Sequence, residues 1–318
     1  MAQNYAFPRS EESGKLHTAP MGCLDERDKM KTRSFGDVRV DTVVEHVGQF
    51  ANPLEMYPDA TQEIVDSHRH WMEPHHHDAA SGMCIMAFQS YLIRTPHHTI
   101  LVDSCVGEDK ERGRPSWNQA KWPWMTNLLA HGVQPAEIDY VMCTHLHPDH
   151  VGWNTQLLDG RWVPTFPNAR YLFSAGEYAH WEAELTPDHP RAPAFYDSVL
   201  PVVEAGRADL VSDDFEIEQG LYFEPTPGHT PHHVALRLEA GVDKGVFAGD
   251  LMHHPLQVPE RQWSTMFCSD ADASRVTRTK FVEDAADTDV IIMPAHFAGE
   301  SAGRVVDHGG TLMFDFLD

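Results

Sequence analysis

The stretch Thr144-His145-Leu146-His147-Pro148-Asp149-His150 sets three histidines and an aspartate close together, directly after the apolar run "IDYVMC". Imidazole nitrogen with carboxylate oxygen is a donor set that suits Zn²⁺, with Mn²⁺, Fe²⁺ or Co²⁺ as competitors. At the end of a predicted strand, the two-residue period sends the side chains of His145 and His147 to one side. Pro148 then forces a turn, and Asp149 and His150 fall where a helix can begin. A solvated His-rich turn is the bland alternative, and it accounts poorly for this spacing. Three more segments have the same form, a ligand type at a strand end beside Gly or Pro: "PTPGHT" with His229, "VFAGD" with Asp250 and "IIMPAH" with His296. A lone strand-end His or Asp is more often structural. Taken with the first cluster, these make seven ligands, enough for two metals with an open position, and Asp250 is the carboxylate that would bridge them. The 22 histidines of the chain also exceed what packing and surface polarity need.

The elements that must position these residues are short and mixed. "DVRVDTVVEHV" alternates, "MCIMAFQSYLI" is continuously apolar, and "HTILVDSC" carries an aspartate at its end. A Gly/Pro-broken loop follows, then a predicted helix over "WMTNLLAHG" stopped by Gly132. Strands are predicted at "DYVMCTH", "ARYLFS", "LYFEPTP", "HVALRLEA", "KGVFAGD" and "DVIIMPAH". Helices are predicted from about Ala175 to Glu184 and over "DASRVTRTKFVEDAA". The reading is one α/β domain over 34–318, preceded by a polar arm, 1–33.

"THLHPDH", "TPGHT", "FAGD" and "PAHF", with "ILVDS" upstream, closely resemble the metallo-β-lactamase-fold hydrolase superfamily over roughly residues 35–318. The resemblance implies a four-layer αβ/βα sandwich with the metal site at one edge between two mixed sheets. It gives His145, His147 and His229 to a first metal, and Asp149, His150 and His296 to a second, with Asp250 bridging. Within the superfamily, His147 stands where flavodiiron oxidoreductases have glutamate, and Asp250 is a bridge that typical lactamases lack. "VGWN" replaces the "xGG" usual in glyoxalase-II-like thioesterases. "HVGWN" and "AGDLMHHPLQ" resemble the branch of quorum-signal (N-acyl homoserine) lactonases and methyl-parathion-hydrolase-like enzymes. His232 stands where many members have glycine, which changes the loop beside His229.

The expected activity is therefore a dinuclear, Zn²⁺-type hydrolase that directs a metal-bridging hydroxide at a small-molecule lactone or ester. Phosphotriesterase- or sulfatase-like hydrolysis, or a non-catalytic ligand-binding role, are the alternatives. Asp149 is the candidate proton acceptor. Asp103 is expected to orient a ligand or its loop. In the resembling lactonases a tyrosine near the position of His253 hydrogen-bonds the carbonyl. His253, three residues beyond Asp250, is accordingly the candidate to face a substrate oxygen, unless it or His254 merely packs against Pro255.

The remaining features bound the partners. With 24 Lys+Arg against 48 Asp+Glu, the formal charge of −24 repels polyanions and argues against nucleic acid and anionic membrane surfaces. No apolar run reaches the roughly 20 residues needed to span a bilayer. The first residues do not read as a secretory signal, so a cytoplasmic location is expected, with a homodimer left open. The scattered cysteines Cys23, Cys84, Cys105, Cys143 and Cys268 read as reduced thiols. "SHRHWMEPHHHD" (67–78) is read as an exposed polar loop, the alternatives being an accessory metal site or lid. Trp117, Trp122 and Trp124 either wall an apolar pocket or pack on the sandwich.

Overall fold

The computed structural model describes residues 32–186, 189 and 191–317. The arm assigned to 1–33 lies outside the described residues except for Thr32 and Arg33. These two begin a strand, Thr32–Phe35, that pairs antiparallel with Val38–Gln49. Their polar types gave no alternation from which to read it.

Two sheets face each other. The first has eight strands and runs Thr32–Phe35, Val38–Gln49, Met83–Arg94, Thr99–Val102, Tyr140–Met142, Arg170–Ser174 and Ala208–Val211, with His77–Asp78 attached to Met83–Arg94. The second has seven: Glu216–Glu218, Leu221–Pro225, Val234–Ala240, Asp243–Gly249, Ile291–Pro294, Gly303–Asp307 and Leu312–Phe316. Central strands of both sheets read as unbroken apolar runs because both faces are covered. Tyr91, Ile93, Ile100, Val102 and Met142 point inward against Leu236, Phe247 and Met293 of the facing sheet. Their neighbours Leu92, Leu101 and Val141 point outward, onto Trp124 and Leu128 of the helix Trp124–Ala130 and onto Trp181 of the helix Ala175–Glu184. On the far side Val246, Ala248 and Ile292 meet Phe281 and Val282 of the helix Ala271–Ala285. Each such large side chain contributes roughly 1.5–3 kcal/mol on burial. Helix, sheet, sheet, helix: the layers are those of the four-layer sandwich.

Strand direction places the site. Thr99–Val102, Tyr140–Met142 and Arg170–Ser174 are parallel, and so are Asp243–Gly249 and Ile291–Pro294. Their C-terminal ends therefore open at a common edge, where the candidate ligands follow. The last turn into that edge depends on Gly249, whose φ is +50°. A Cβ there would sit 2.7 Å from His233 Nε2 and 2.8 Å from Thr144 Oγ1.

Two expectations need correction. Residues 67–78 are not an exposed loop. The helix Gln62–Met72, capped by Thr61, carries the first part, and His76 and His77 are buried. A polar outer face of Asp66, Arg69 and His70 hid the stripe that buries Val65 and Met72. The strand before the histidine motif also ends at Met142, so strand geometry does not align His145 and His147. The backbone leaves the ladder there because Thr144 N donates to Asp103 Oδ1 (2.8 Å) instead of to a neighbouring strand. A C-terminal hairpin, Gly303–Asp307 with Leu312–Phe316, was not anticipated. No described helix is long and apolar enough to cross a membrane.

Candidate metal centre

All seven sequence-predicted ligands converge. His145, His147, His229 and Asp250 form one group of potential ligand atoms and Asp149, His150 and His296 a second, each within 4.8 Å. His229 Nε2 lies 3.1 Å from His145 Nε2 and 2.8 Å from His147 Nδ1. Four donors about 2.0–2.1 Å from one tetrahedral ion stand roughly 3.3 Å apart, so these nitrogens aim at one point. Asp250 divides itself between the groups. Its Oδ1 is 3.1 Å from His150 Nε2 and 2.9 Å from His296 Nε2, while its Oδ2 is 3.1 Å from His229 Nε2.

The donor set fits metal ions on a further ground. His150 Nε2 and Asp250 Oδ1 are enclosed, yet neither makes a hydrogen bond. Buried polar atoms seldom go unpaired, and lone pairs kept for a metal ion account for two such atoms at this place. The opposite ring nitrogens are occupied: His150 Nδ1 donates to Asp103 Oδ2 (2.8 Å) and His296 Nδ1 to the Ala87 carbonyl (2.9 Å). In the neutral ring each bond fixes the tautomer whose Nε2 lone pair is available to a metal. Burial pushes His145 and His229 well below the usual imidazole range, which keeps them neutral and able to ligate. Burial opposes charge on His150 as well, but Asp250, Asp103 and Asp149 together raise it well above that range. Metal entry must therefore displace protons there.

Several supporting residues carried no signal in the sequence. His233 Nε2 accepts from Asp250 N (3.0 Å) and holds the bridging residue's backbone. Glu177 occupies the third position of a helix whose cap is Ser174, a spacing that reads as a capping box. Its buried carboxylate turns away instead, accepting from Leu146 N (3.2 Å) and Trp181 Nε1 (2.6 Å), and so ties down the histidine motif. Glu45, raised to about 7 by burial, accepts from Val106 N, Gly107 N and Trp153 Nε1. It joins the loop after Asp103 to the turn after His150. Only the three-residue spacing of Ser174 and Glu177 offered a pattern to follow, and it pointed elsewhere.

The candidates beyond the ligands separate cleanly. His253 Nε2 stands 3.2 Å from Asp250 Oδ2, and neither ring nitrogen makes an aligned hydrogen bond. His254 faces away, accepting from Leu256 N and contacting the His76 carbonyl (2.7 Å). Trp124 is core, whereas Trp117 and Trp122 stay part-exposed in an aromatic cluster with Phe50, Phe88 and Phe267. Cys105 and Cys143 are buried thiols, and Cys268 Sγ is 3.7 Å from His229 Nδ1. His232, the departure noted above, pairs with Asp213 through Nδ1 (2.7 Å).

Comparison with known proteins bears on the fold and the family. An N-acyl homoserine lactonase from a Bacillus species is 27% identical over 161 residues, covering 47% of this chain and 57% of the relative. The chain thus spans little more than half the length of the curated lactonases it matches. A metallo-beta-lactamase domain-containing protein 1 from Xenopus laevis is 30% identical over 203 residues, covering 59% of this chain and 66% of the relative. Among solved structures, the hydrolase AbOPH of the beta lactamase superfamily has a TM-score of 0.77 at 22% identity, covering 91% of this chain and 98% of its own. AidC, a dizinc quorum-quenching lactonase, has a TM-score of 0.76 at 18% identity, covering 92% and 99%. At such identities the likeness is one of fold. The profile described as "Metallo-beta-lactamase superfamily" matches residues 89–296, a stretch that holds all seven converging ligands, and by that match the chain belongs to the metallo-beta-lactamase superfamily.

Proposed function

We propose that this chain hydrolyses a lactone or ester at a two-ion centre. The observation that carries the reading is Asp250, which turns one oxygen to each histidine group. Relatives named as N-acyl homoserine lactonases support the substrate class. A non-catalytic role is disfavoured because all seven ligand positions are filled and aimed inward.

When bound, two divalent ions, Zn²⁺ foremost, would supply Lewis acidity and a water acidified toward neutrality. His145, His147 and His229 would hold one, Asp149, His150 and His296 the other, with Asp250 shared. Asp149 is the most open of the carboxylates at the centre, its side chain 12% exposed against 4% for Asp250. Its Oδ2 stands 3.6 Å from His296 Nε2, looser than the Asp250 contacts. This openness supports a role for Asp149 in taking the proton of an attacking water. His253, kept neutral by burial despite the opposing pull of Asp250, carries one ring proton to offer a developing oxyanion.

The test is a panel of lactones, aryl esters, phosphotriesters, sulfate esters, a penicillin and RNA, read with metal content. Lactones or aryl esters should show the highest kcat/KM. A comparable value on the penicillin removes the reading, and a dominant phosphotriester or sulfate ester replaces it with the runner-up.

A further inference from the structure

The chain is strongly acidic, yet two guanidinium groups without a salt-bridge partner stand near the candidate metal centre, Arg191 on His147 and Arg114 farther out on Phe50. Arg191 Nη1 is 2.6 Å from His147 Nε2, and its Nη2 donates to the Phe267 carbonyl (3.3 Å). Arg114 lies flat on Phe50, with Cζ 3.9 Å from the ring centroid, and donates to Ser116 Oγ and the Phe50 carbonyl. Among the described residues neither forms a salt bridge, although most part-buried arginines of this chain do, Arg112 with Asp197 and Arg237 with Glu224 among them. Arg278 is bonded only to neutral groups as well, but it is enclosed. Arg114 and Arg191 are part-exposed, with Asp149 a carboxylate whose charge favours both, and an arriving anion adds a direct partner.

Both arginines border one aromatic wall that reaches the centre. Phe50 contacts Trp117 and Phe267 (6.1 and 5.9 Å between centroids). Phe267 in turn meets His253 (6.1 Å), and Phe88 links Trp117 (5.3 Å) to the ligand His296 (5.0 Å). Arg114 thus touches the end of the wall away from the ligand rings. Arg191 touches Phe267 from the side of His147. His147 Nδ1 is the nitrogen that faces His229, so a neutral His147 holding a metal through it would carry its proton on Nε2 and would no longer accept from Arg191, leaving that donor for another acceptor.

We propose that Arg114 and Arg191 form an anion clamp along this wall, so that the substrate carries an oxyanion group, such as a carboxylate, in addition to the ester or lactone bond that is cut. The inference rests on the hydrolase reading above and narrows its substrate class away from neutral acyl lactones. The clamp orients the flat or apolar body of the substrate against Phe50 and Trp117 while the carbonyl faces Asp149 and His253.

The test compares the 4-nitrophenyl monoesters of succinate, glutarate and adipate with their neutral methyl diesters, following nitrophenolate release by the metal-loaded protein. The best monoester should exceed its diester by about ten-fold or more in kcat/KM, the scale of a hydrogen bond to a charged group. Arg114→Gln and Arg191→Gln should each reduce that ratio by about the same factor, and added salt should weaken it. Calorimetric binding of the matching mono-anilides and their neutral methylamides reads the clamp without hydrolysis. The acid should bind tighter, and Arg114→Gln should remove the difference with metal content unchanged. If no ester is cleaved but this binding difference holds, the hydrolase reading fails and the clamp stands. Equal binding of acid and amide by the unmodified protein, or a preference that survives both substitutions, overturns the clamp.

Discussion

Asp103 Oδ2 lies 2.8 Å from Nδ1 of His150, and the same carboxylate accepts from Thr144 N and Oγ1 (2.8 and 2.9 Å). One residue at a strand end therefore fixes both the ring of a candidate ligand and the backbone that starts the histidine motif. It adopts φ +56° to do so, a strained setting for a non-glycine residue. Asp103→Asn keeps the shape and loses the charge. Metal affinity at the Asp149–His150–His296 group should fall by about 10–100-fold, the usual effect of losing such a partner. Competition with a chelating dye should show one tight ion remaining and the second weakened. Two ions bound with wild-type affinity would remove Asp103 from the metal centre.

The division of Asp250 predicts stoichiometry. Fully loaded wild type should hold two transition-metal ions per chain. Asp250→Ala should bind no more than one tightly and lose most activity, with its far-UV spectrum retained. Elemental analysis of active wild type showing a single ion would end the two-ion reading.

Much of this was legible in the sequence because the ligands are local. "THLHPDH" crowds four of them together, and the remaining three stand beside Gly or Pro at ends of apolar runs, a form that topology alone brings to one edge. The helices Ala175–Glu184 and Ala271–Ala285 were equally plain, each with a cap and polar flanks. Arg114, Arg191, Glu177 and His233 were not legible. Each meets the site through a partner distant in sequence, Arg114 through Phe50, Arg191 through His147, Glu177 through Leu146 and His233 through Asp250, and a lone Arg or Glu in a charged chain has no spacing to mark it. The helix Gln62–Met72 was hidden for another reason: its histidines suggested metal or loop chemistry, while its buried stripe is only a few residues wide.

His76 predicts the acid limb of stability. It is buried, its Nδ1 has no partner, and burial lowers its pKa to about 3, with His254 adding to the effect. The folded state therefore refuses a proton that the unfolded state accepts below about 6.5. Stability from this group is complete above that pH and is lost as pH falls toward 3, reaching about 3 kcal/mol at pH 4. His76→Phe keeps the stacking on Phe316 (4.7 Å) and the backbone carbonyl that meets His254. Urea unfolding between pH 4 and 7 should show a shallower loss for the variant. Parallel curves would assign the acid limb to other groups.

His253 is the sharpest residue to test, because position and chemistry both single it out. It follows Asp250 by three residues, its ring lies 4.8 Å from His229 and 5.9 Å from His296, and so it stands between the two ligand groups without belonging to either. Its backbone N–H is held by Gln257 Oε1 (2.7 Å), which leaves the ring as the part free to serve a substrate. Nδ1 makes no bond within the protein. A neutral imidazole here can donate one hydrogen bond to an oxygen gaining negative charge, a contribution that grows toward the transition state and so appears in kcat. His253→Ala should lower kcat by about ten- to a thousand-fold with KM little changed and both ions retained. His253→Gln, which keeps a donor of similar reach, should recover part of that loss. A variant whose kcat is unchanged, or whose activity returns fully when excess metal is added, would show that His253 serves the metals or the fold rather than the reaction.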